Sequence, residues 1–321
     1  MKDQVVFANN RDGWALELHH YHDPETLDPS RKPVLMVPGY CMNTFILNYH
    51  PGGDSMVRYL VRQGFEVWTA NLRGQGGSRK NAGNRRFGFR ELALIDIPVA
   101  LETVQRRTLS ESERVDVVGC SLGGTFLFAY LAHHLDTHPV GAMITLGGPL
   151  RWEKTHRLLQ IAFASADLAG AVRVAHTRRM ARFALPIARK VPALLSLYMN
   201  TDHIDLDHTD ELVKTVDDPI PYLNRQIAHW ISTQDLYVAG VNVTAAMRYV
   251  DVPLLAIAAN RDGIVPPATA MSAVSRMGTA DVERLLVGDD DNWFAHADLF
   301  INDEAEPRVF EPMAQWLLAR N

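Results

Sequence analysis

The stretch VVGCSLGG at residues 117–124 decides the fold of this chain. Its first half is apolar, as in a buried strand, and the segment GGTFLFAYLAHHL at residues 123–135 has the composition of a buried helix. Ser121 lies between them in the pattern G-x-S-x-G, in which the glycines permit a sharp strand-to-helix turn. The pattern predicts a serine nucleophile exposed in strained backbone geometry at the end of a strand. A bland glycine-rich turn is the alternative.

Apolar runs on both sides of this stretch predict further strands of the same sheet. They are PVLMVPG (33–39), EVWTANL (66–72), RVDVVGCS (114–121), VGAMITLGG (140–148), VPLLAIAAN (252–260) and VERLLVG (282–288). Helix-like patterns separate most of them: DSMVRYLVRQGF (54–65), LALIDIPVALETVQRR (92–107), GGTFLFAYLAHHL (123–135) and PPATAMSAVSRM (266–277). Because strands and helices alternate, we expect an α/β fold with a mostly parallel sheet. VVFAN (5–9) and WALELHHY (14–21) predict an antiparallel hairpin at its edge.

The alternation stops at about residue 151 and resumes at about residue 251. The residues between are helix-rich in pattern and are interrupted by Pro186, Pro192, Pro219 and Pro221. We therefore predict a core formed by residues 1–150 and 251–321, with residues 151–250 inserted as a helical cap.

A serine hydroxyl needs a base within hydrogen-bond reach, and the base needs an orienting carboxylate. Asp262 follows the predicted strand VPLLAIAAN, and the carboxyl ends of such strands are where sites assemble. His296 follows the last predicted strand and precedes the final helix pattern, which distinguishes it from the other histidines of the chain. We predict His296 as the general base and Asp262 as its orienting acid. A turn-forming Asp-Gly pair is the alternative for Asp262.

Two backbone amides are candidates for an oxyanion hole. Leu122 begins the helix after the serine, where free N–H groups and the helix dipole favour negative charge. The second donor is expected from the loop after PVLMVPG, with the Tyr40 amide as first choice and Cys41 as second. A plain tight turn is the alternative there. Cys120 is a rival nucleophile, but the residue two positions before it is Val118, so the pattern is centred on Ser121.

Composition limits the classes of function. The chain of 321 residues is 47% hydrophobic and 21% charged, as in soluble globular proteins. A net charge of −5 gives no reason to expect a nucleic-acid partner. Cys41 and Cys120 are the only cysteines, too few for a disulfide framework or a structural zinc site. With no secretory signal pattern and no apolar run of membrane-spanning length, we expect a cytoplasmic chain without a transmembrane helix.

Several segments together resemble the α/β-hydrolase superfamily over nearly the full chain: VPGY (37–40), NLRGQGGS (71–78), GCSLGG (119–124), NRDGIVPP (260–267) and AHADLF (295–300). GFEVWTANLRGQGGS (64–78) and ELALIDIPVALETV (91–104) are similar to its acid lipase and polyhydroxyalkanoate synthase-like branch. The resemblance implies the α/β-hydrolase fold, a catalytic triad and a helical cap. The synthases carry Cys at the nucleophile position, where this chain has Ser121, and this difference favours hydrolysis over acyl transfer.

The expected function is that of a serine hydrolase that cleaves a carboxylic ester, of esterase or lipase type, and needs neither a metal nor an organic cofactor. Its substrate is expected to be a small-molecule or lipid ester. An acyltransferase like the polyhydroxyalkanoate synthases and a non-catalytic binding protein on the same fold are the alternatives. The sequence does not indicate the oligomeric state.

Substrate choice is expected to depend on the cap. Its first part is basic, with Lys154, Arg157, Arg173, Arg178, Arg179, Arg182 and Arg189. This charge is compatible with weak contact to an acidic lipid surface, but a solvated helix face whose apolar side packs on the core is the favoured interpretation. Candidate substrate-binding residues are Leu194, Leu197, Tyr198 and Trp293. Ordinary packing inside the cap is the alternative for the leucines and the tyrosine.

Overall fold

A computed structural model describes residues 1–171, 176–181, 195–206 and 209–321. Within these ranges, one nine-stranded sheet has the order β1-β2-β4-β3-β6-β7-β10-β11, and β5 pairs with β2. Its strands are β1 (Lys2–Asn9), β2 (Trp14–His22), β3 (Val34–Val37), β4 (Val67–Asn71), β5 (Arg79–Lys80), β6 (Val115–Cys120), β7 (Val140–Leu146), β10 (Leu254–Ala259) and β11 (Val282–Val287). A separate hairpin consists of β8 (Tyr237–Val238) and β9 (Val241–Asn242).

The six strands from β4 to β11 in this order run parallel, and β1 and β2 form the antiparallel hairpin at the edge. The predicted α/β fold with a mostly parallel sheet is therefore confirmed. Each of the six predicted parallel strands contains an observed one. Five of them, β3, β4, β6, β7 and β10, are buried along nearly their whole length, as expected of strands covered on both faces, whereas the edge strand β11 is largely exposed. In β3, Leu35 packs into the apolar cluster on one face of the sheet and Met36 into the cluster on the other.

The described helices lie between and beyond these strands. They are α1 (Met56–Arg62), α2 (Phe89–Glu91), α3 (Ile97–Arg107), α4 (Leu122–His133), α5 (Arg157–Ala162), α6 (Ala166–Ala171), α7 (Thr209–Leu212), α8 (Pro221–Thr233), α9 (Val243–Ala246), α10 (Pro267–Ala270), α11 (Asp298–Ile301) and α12 (Glu311–Leu318). Short 3-10 segments occupy Thr44–Asn48, Val213–Thr215 and Met247–Tyr249, and π-helical turns occupy Leu92–Asp96 and Glu306–Phe310.

The predicted helix at residues 266–277 is shorter in the structure, where only α10 is helical. Its hydroxyl side chains bond to a segment more than a hundred residues away. Thr269 Oγ1 accepts from the Lys154 amide at 2.9 Å, and Ser272 Oγ accepts from the Arg151 amide at 2.9 Å. These long-range bonds favour a series of turns after α10 over a continued helix.

The predicted cap, residues 151–250, contains mostly helices in its described part. Trp230 of α8 contacts Phe89 and Trp152 edge-on, with ring centroids 5.7 and 5.6 Å apart. Val243 and Met247 belong to the same apolar cluster as α4. The later part of this segment thus packs directly on the layer that covers the sheet, and the domain boundaries stay a prediction. Across the described ranges, no helix has both the length and the apolar character that a membrane span requires.

Candidate active site

Ser121 lies between β6 and α4, at the carboxyl edge of the sheet. Its backbone has φ 52° and ψ −126°, a conformation that L-residues rarely adopt. The Ser121 amide donates to the carbonyl of Leu146 at 2.8 Å, which ties the strained turn to the end of β7. The residue is 7% exposed, so the serine lies at the predicted edge but is covered there.

Two glycines allow other backbone to approach this turn. A Cβ on Gly123 would lie 2.2 Å from the carbonyl oxygen of Val37, so α4 starts in direct contact with the end of β3. A Cβ on Gly39 would lie 2.6 Å from Cβ of Ser121 and 3.3 Å from the amide nitrogen of Leu122. Gly39 is therefore part of the cover over the serine, and a side chain at this position would overlap it.

His296 and Asp262 form a buried pair. His296 Nδ1 lies 2.6 Å from Oδ2 of Asp262, and the two side chains are 3% and 0% exposed. The other carboxylate oxygen, Oδ1, accepts from the amides of Ile264 and Val265 at 2.8 Å each, which fixes the orientation of the carboxylate. Because a carboxylate can only accept, Nδ1 carries the proton and Nε2 is left as the acceptor nitrogen of the ring.

The residues after β7 lie beside both the imidazole and the serine. Gly147 has φ 60°, and a Cβ there would lie 3.0 Å from Cε1 of His296. A Cβ on Gly148 would lie 3.3 Å from the carbonyl oxygen of Ser121. The structure thus brings Ser121, Asp262 and His296, predicted at the ends of three different strands, to one end of the sheet.

The loop after β3 carries the two predicted candidates for the second oxyanion donor. The Tyr40 hydroxyl donates to Oδ1 of Asn224, so its side chain points toward α8. Cys41 has φ 56°, and its carbonyl accepts from the Asp217 amide at 2.9 Å. Burial raises the pKa of the Cys41 thiol to about 12, so the thiol is neutral at pH 7. The loop therefore joins the serine turn to α8 and to the residues just before it.

A short segment at residues 195–200 connects the loops that carry Asp262 and His296. The Leu197 carbonyl accepts from the Gly263 amide at 3.1 Å, and the Tyr198 carbonyl accepts from the Ala297 amide at 2.7 Å. The Tyr198 ring lies 6.2 Å from the His296 ring, centroid to centroid. Burial raises the pKa of Tyr198 to about 12, so its hydroxyl also stays protonated.

A buried carboxylate supports the histidine loop from behind. Asp298 Oδ2 accepts from the amides of Ala295 and Asn200 at 2.7 and 2.8 Å, and Oδ1 accepts from Nδ2 of Asn302 at 3.1 Å. Burial raises the pKa of Asp298 to about 6. Asp298 therefore ties the residue before His296 to the segment at 195–200.

The predicted substrate-binding residues have different surroundings. The backbone carbonyls of Leu197 and Tyr198 bond to the loops that carry Asp262 and His296. The Trp293 ring lies 5.9 Å from the exposed guanidinium of Arg261. Leu194 lies outside the described residues. Of the basic residues predicted for the cap, Arg173, Arg182 and Arg189 also lie outside them, and Arg178 pairs with Asp217 at 3.0 Å. In the part of the chain that the structure describes, no group of three or more His, Cys, Asp or Glu is placed to hold a metal ion.

Three residues at this edge were missed as site residues from the sequence: Gln75, Asn200 and Asp298. Gln75 and Asp298 lie inside NLRGQGGS and AHADLF, so the motifs themselves were the signal. Asn200 carries no sequence signal, because its partners lie more than ninety residues away.

Ser121 lies in strained geometry against Gly39, and the buried His296–Asp262 pair lies at the same carboxyl edge of a parallel sheet. These features are typical of the hydrolase-fold class. A family model described as alpha/beta hydrolase fold matches residues 32–290. This chain therefore belongs to the α/β-hydrolase fold family.

Curated and solved relatives are distant. The protein named "Probable lipase C14C8.15" of Schizosaccharomyces pombe is 29% identical over 144 residues, which are 41% of this chain and 30% of that protein. The match thus spans less than a third of that relative's length. An esterase from Exiguobacterium antarcticum has a TM-score of 0.66 at 16% identity, over 98% of this chain and 100% of that chain. The esterase RhEst1 from Rhodococcus sp. ECU1013 has a TM-score of 0.64 at 14% identity, over 99% of both chains. Their likeness shows the fold.

Proposed function

We propose that this chain is a serine hydrolase that cleaves a carboxylic ester through an acyl-enzyme on Ser121. The observation that carries the proposal is the His296–Asp262 hydrogen bond of 2.6 Å at the same end of the sheet as the strained Ser121. This arrangement supplies a nucleophile, a base and an orienting acid.

In the proposed reaction, Oγ of Ser121 attacks the carbonyl carbon of the ester while Nε2 of His296 takes the hydroxyl proton. Asp262 stabilises the imidazolium that forms. His296 then gives the proton to the alcohol that leaves. Water attacks the acyl-enzyme by the same route in reverse, with His296 again as the base, and releases the acid.

Negative charge on the carbonyl oxygen would be stabilised by the amides of Leu122 and Tyr40. Leu122 is the first residue of α4, where an amide has no partner within the helix. Each such donor is worth about a 100- to 1,000-fold acceleration. Cys41 stays the second choice in place of Tyr40.

Cys120 is a weaker candidate for the nucleophile. Its side chain is fully buried, and burial raises the pKa of its thiol above the usual range. The thiolate is the reactive form of cysteine, so a thiol held neutral is a poor nucleophile.

The proposal is tested with a fluorophosphonate probe, peptide mapping and turnover of p-nitrophenyl esters. Label is expected on Ser121, and Ser121→Ala is expected to lower kcat by about a million-fold. Ser232→Ala, on an exposed face of α8, is the matched control and should retain wild-type turnover. Unlabelled Ser121 together with wild-type turnover of Ser121→Ala would overturn the proposal.

The same assay addresses the substrate. Acetate, butyrate and laurate esters are compared, since esterases favour short acyl chains and lipases long ones. An added alcohol acceptor separates acyl transfer from hydrolysis by its ester product, and an inactive protein that binds these esters would indicate a binding function.

A further inference from the structure

One side chain holds the peptide that carries the proposed Tyr40 donor. Nε2 of Gln75 donates to the carbonyl oxygen of Gly39 at 2.8 Å. The peptide between Gly39 and Tyr40 is trans, so its C=O and its N–H point in opposite directions. The bond from Gln75 therefore sets the plane of this peptide and directs the Tyr40 N–H away from Gln75.

The Gln75 side chain is itself held at both ends of its amide. Its Oε1 accepts from the Leu72 amide at 2.9 Å, while its backbone amide donates to the Leu72 carbonyl at 3.0 Å. The residue is 7% exposed. Because Oε1 faces a donor and Nε2 faces an acceptor, the two partners together determine the orientation of the amide.

A buried ion pair anchors the loop that carries Gln75. The Arg73 guanidinium donates to both carboxylate oxygens of Asp96, at 2.9 and 2.8 Å, and the Arg73 amide donates to Asp96 at 3.0 Å. Asp96 also accepts from Nδ2 of Asn10 at 2.7 Å, and neither charged residue is exposed. A continuous set of bonds thus runs from this pair through the loop to Gly39.

We propose that Gln75 is a positioning residue for the oxyanion hole, and this inference rests on the proposed function. An oxyanion donor acts only within a narrow range of distance from the developing charge. Turning the Gly39–Tyr40 peptide would move the donor out of this range. The loss would be felt in the transition state, where the charge exists, and hardly in the bound ester.

The direct test is Gln75→Met, which keeps the length of the side chain and removes both its donor to Gly39 and its acceptor for the Leu72 amide. We expect kcat for p-nitrophenyl butyrate to fall by about 10- to 100-fold, less than the loss of an entire donor, with KM within about threefold of wild type. Gln105→Met is the matched control, because exposed Gln105 also donates to a backbone carbonyl, that of Glu113 at 3.1 Å. It should behave as wild type.

A second readout separates positioning from general damage. Oγ of Ser121 adds to the carbonyl carbon of an alkyl trifluoromethyl ketone, and the serine proton passes to His296. The adduct is a tetrahedral oxyanion that resembles the transition state. The Ki of the ketone should rise in Gln75→Met by the same factor as kcat/KM falls. A Ki equal to that of wild type would overturn the proposal, as would a lowered Tm with an unchanged kcat.

Gln75→Glu gives a test that remains informative should Gln75→Met not fold. A protonated glutamic acid can donate to Gly39, whereas the carboxylate repels that carbonyl. Burial favours the protonated form. We expect the activity of Gln75→Glu relative to wild type to be highest near pH 6 and to fall by at least about tenfold toward pH 8.5. A ratio independent of pH would contradict the role of Gln75.

These outcomes are distinct from failure of the proposed function. Wild-type protein that takes no phosphonate label and turns over no ester would contradict the proposed function and with it the oxyanion role. Wild-type labelling and turnover, with kcat and Ki unchanged in Gln75→Met, would contradict the role of Gln75 alone.

Discussion

The substitution Asp262→Asn tests the His–Asp pair most sharply, because the structure determines which way the new amide would face. Oδ1 of Asp262 accepts from two backbone amides, those of Ile264 and Val265. An asparagine keeps both bonds only if its oxygen stays there, so its NH₂ group faces Nδ1 of His296. In the flipped orientation the asparagine NH₂ group would face the amides of Ile264 and Val265. Both buried amides would then lack an acceptor, at a cost of about 1–3 kcal/mol for each.

With an NH₂ group opposite it, Nδ1 of His296 must act as the acceptor. The proton of the neutral ring then moves to Nε2, which can no longer take the proton of Ser121. A wrong tautomer of this kind lowers kcat by about 10⁴ in serine proteases. At about 1.36 kcal/mol per tenfold, this corresponds to about 5 kcal/mol in the activation barrier.

The assay is kcat for p-nitrophenyl butyrate at pH 8, with thermal unfolding measured in parallel. Asp251→Asn, on the exposed segment before β10, is the matched control and should leave kcat unchanged. An Asp262→Asn protein that folds normally and keeps more than about a tenth of wild-type kcat would refute the reasoning.

Three further predictions follow from other contacts. Gly39→Ala should lower kcat at least about 100-fold, because its methyl group would lie 2.6 Å from Cβ of Ser121 and displace the loop that carries the proposed Tyr40 donor. Arg73→Met should lower the free energy of unfolding by about 3–5 kcal/mol, measured in urea, because Asp96 is left buried without the guanidinium that neutralises its charge. Asp298 has a pKa of about 6 in the fold against its usual value of 3.8, so the folded wild type loses stability as pH rises through this window. Asp298→Asn should therefore gain about 2 kcal/mol relative to wild type between pH 4 and pH 7.

Each of these variants has a control and an opposing outcome. Gly52→Ala, where an added Cβ meets its nearest neighbour at 3.6 Å, should keep full kcat, and an active Gly39→Ala would argue against the close contact. Arg106→Met removes an exposed ion pair and should lower the free energy of unfolding by less than about 1 kcal/mol, as surface pairs do. If Arg73→Met cost no more than Arg106→Met, the stabilising role of the buried Arg73–Asp96 pair would be contradicted. For Asp298→Asn, Asp290→Asn on the surface is the control, and a difference from wild type that does not vary with pH would count against a titrating Asp298.

Much of the sheet could be predicted, because β3, β4, β6, β7 and β10 are buried on both faces and therefore read as unbroken apolar runs. The predicted helix at 266–277 is too long, because the contacts that end it are not local. Local pattern favours helix there, and the bonds that Thr269 and Ser272 make to residues 150–154 are invisible in a local pattern.

The candidate site divides in the same way. Ser121, Asp262 and His296 could be proposed from their positions after particular strands, since parallel strands bring their carboxyl ends to one edge. The bonds of Asn200 to Asp298 and to the Trp293 carbonyl could not, because they join residues more than ninety positions apart with no charge or spacing pattern. Gln75 lies within the motif NLRGQGGS, but the role proposed for it depends on the orientation of a single peptide, which no sequence pattern shows.

The segment at 195–200 has a consequence for how such proteins diversify. Its carbonyls accept from Gly263 and Ala297, so part of the predicted cap also holds the loops of the His–Asp pair. A chimera that replaced the whole of residues 151–250 would remove these two hydrogen bonds from the loops that carry Asp262 and His296. Chimeras that keep residues 195–200 and replace the residues on either side should therefore preserve the His–Asp pair. Chimeras that replace this segment as well should disturb it.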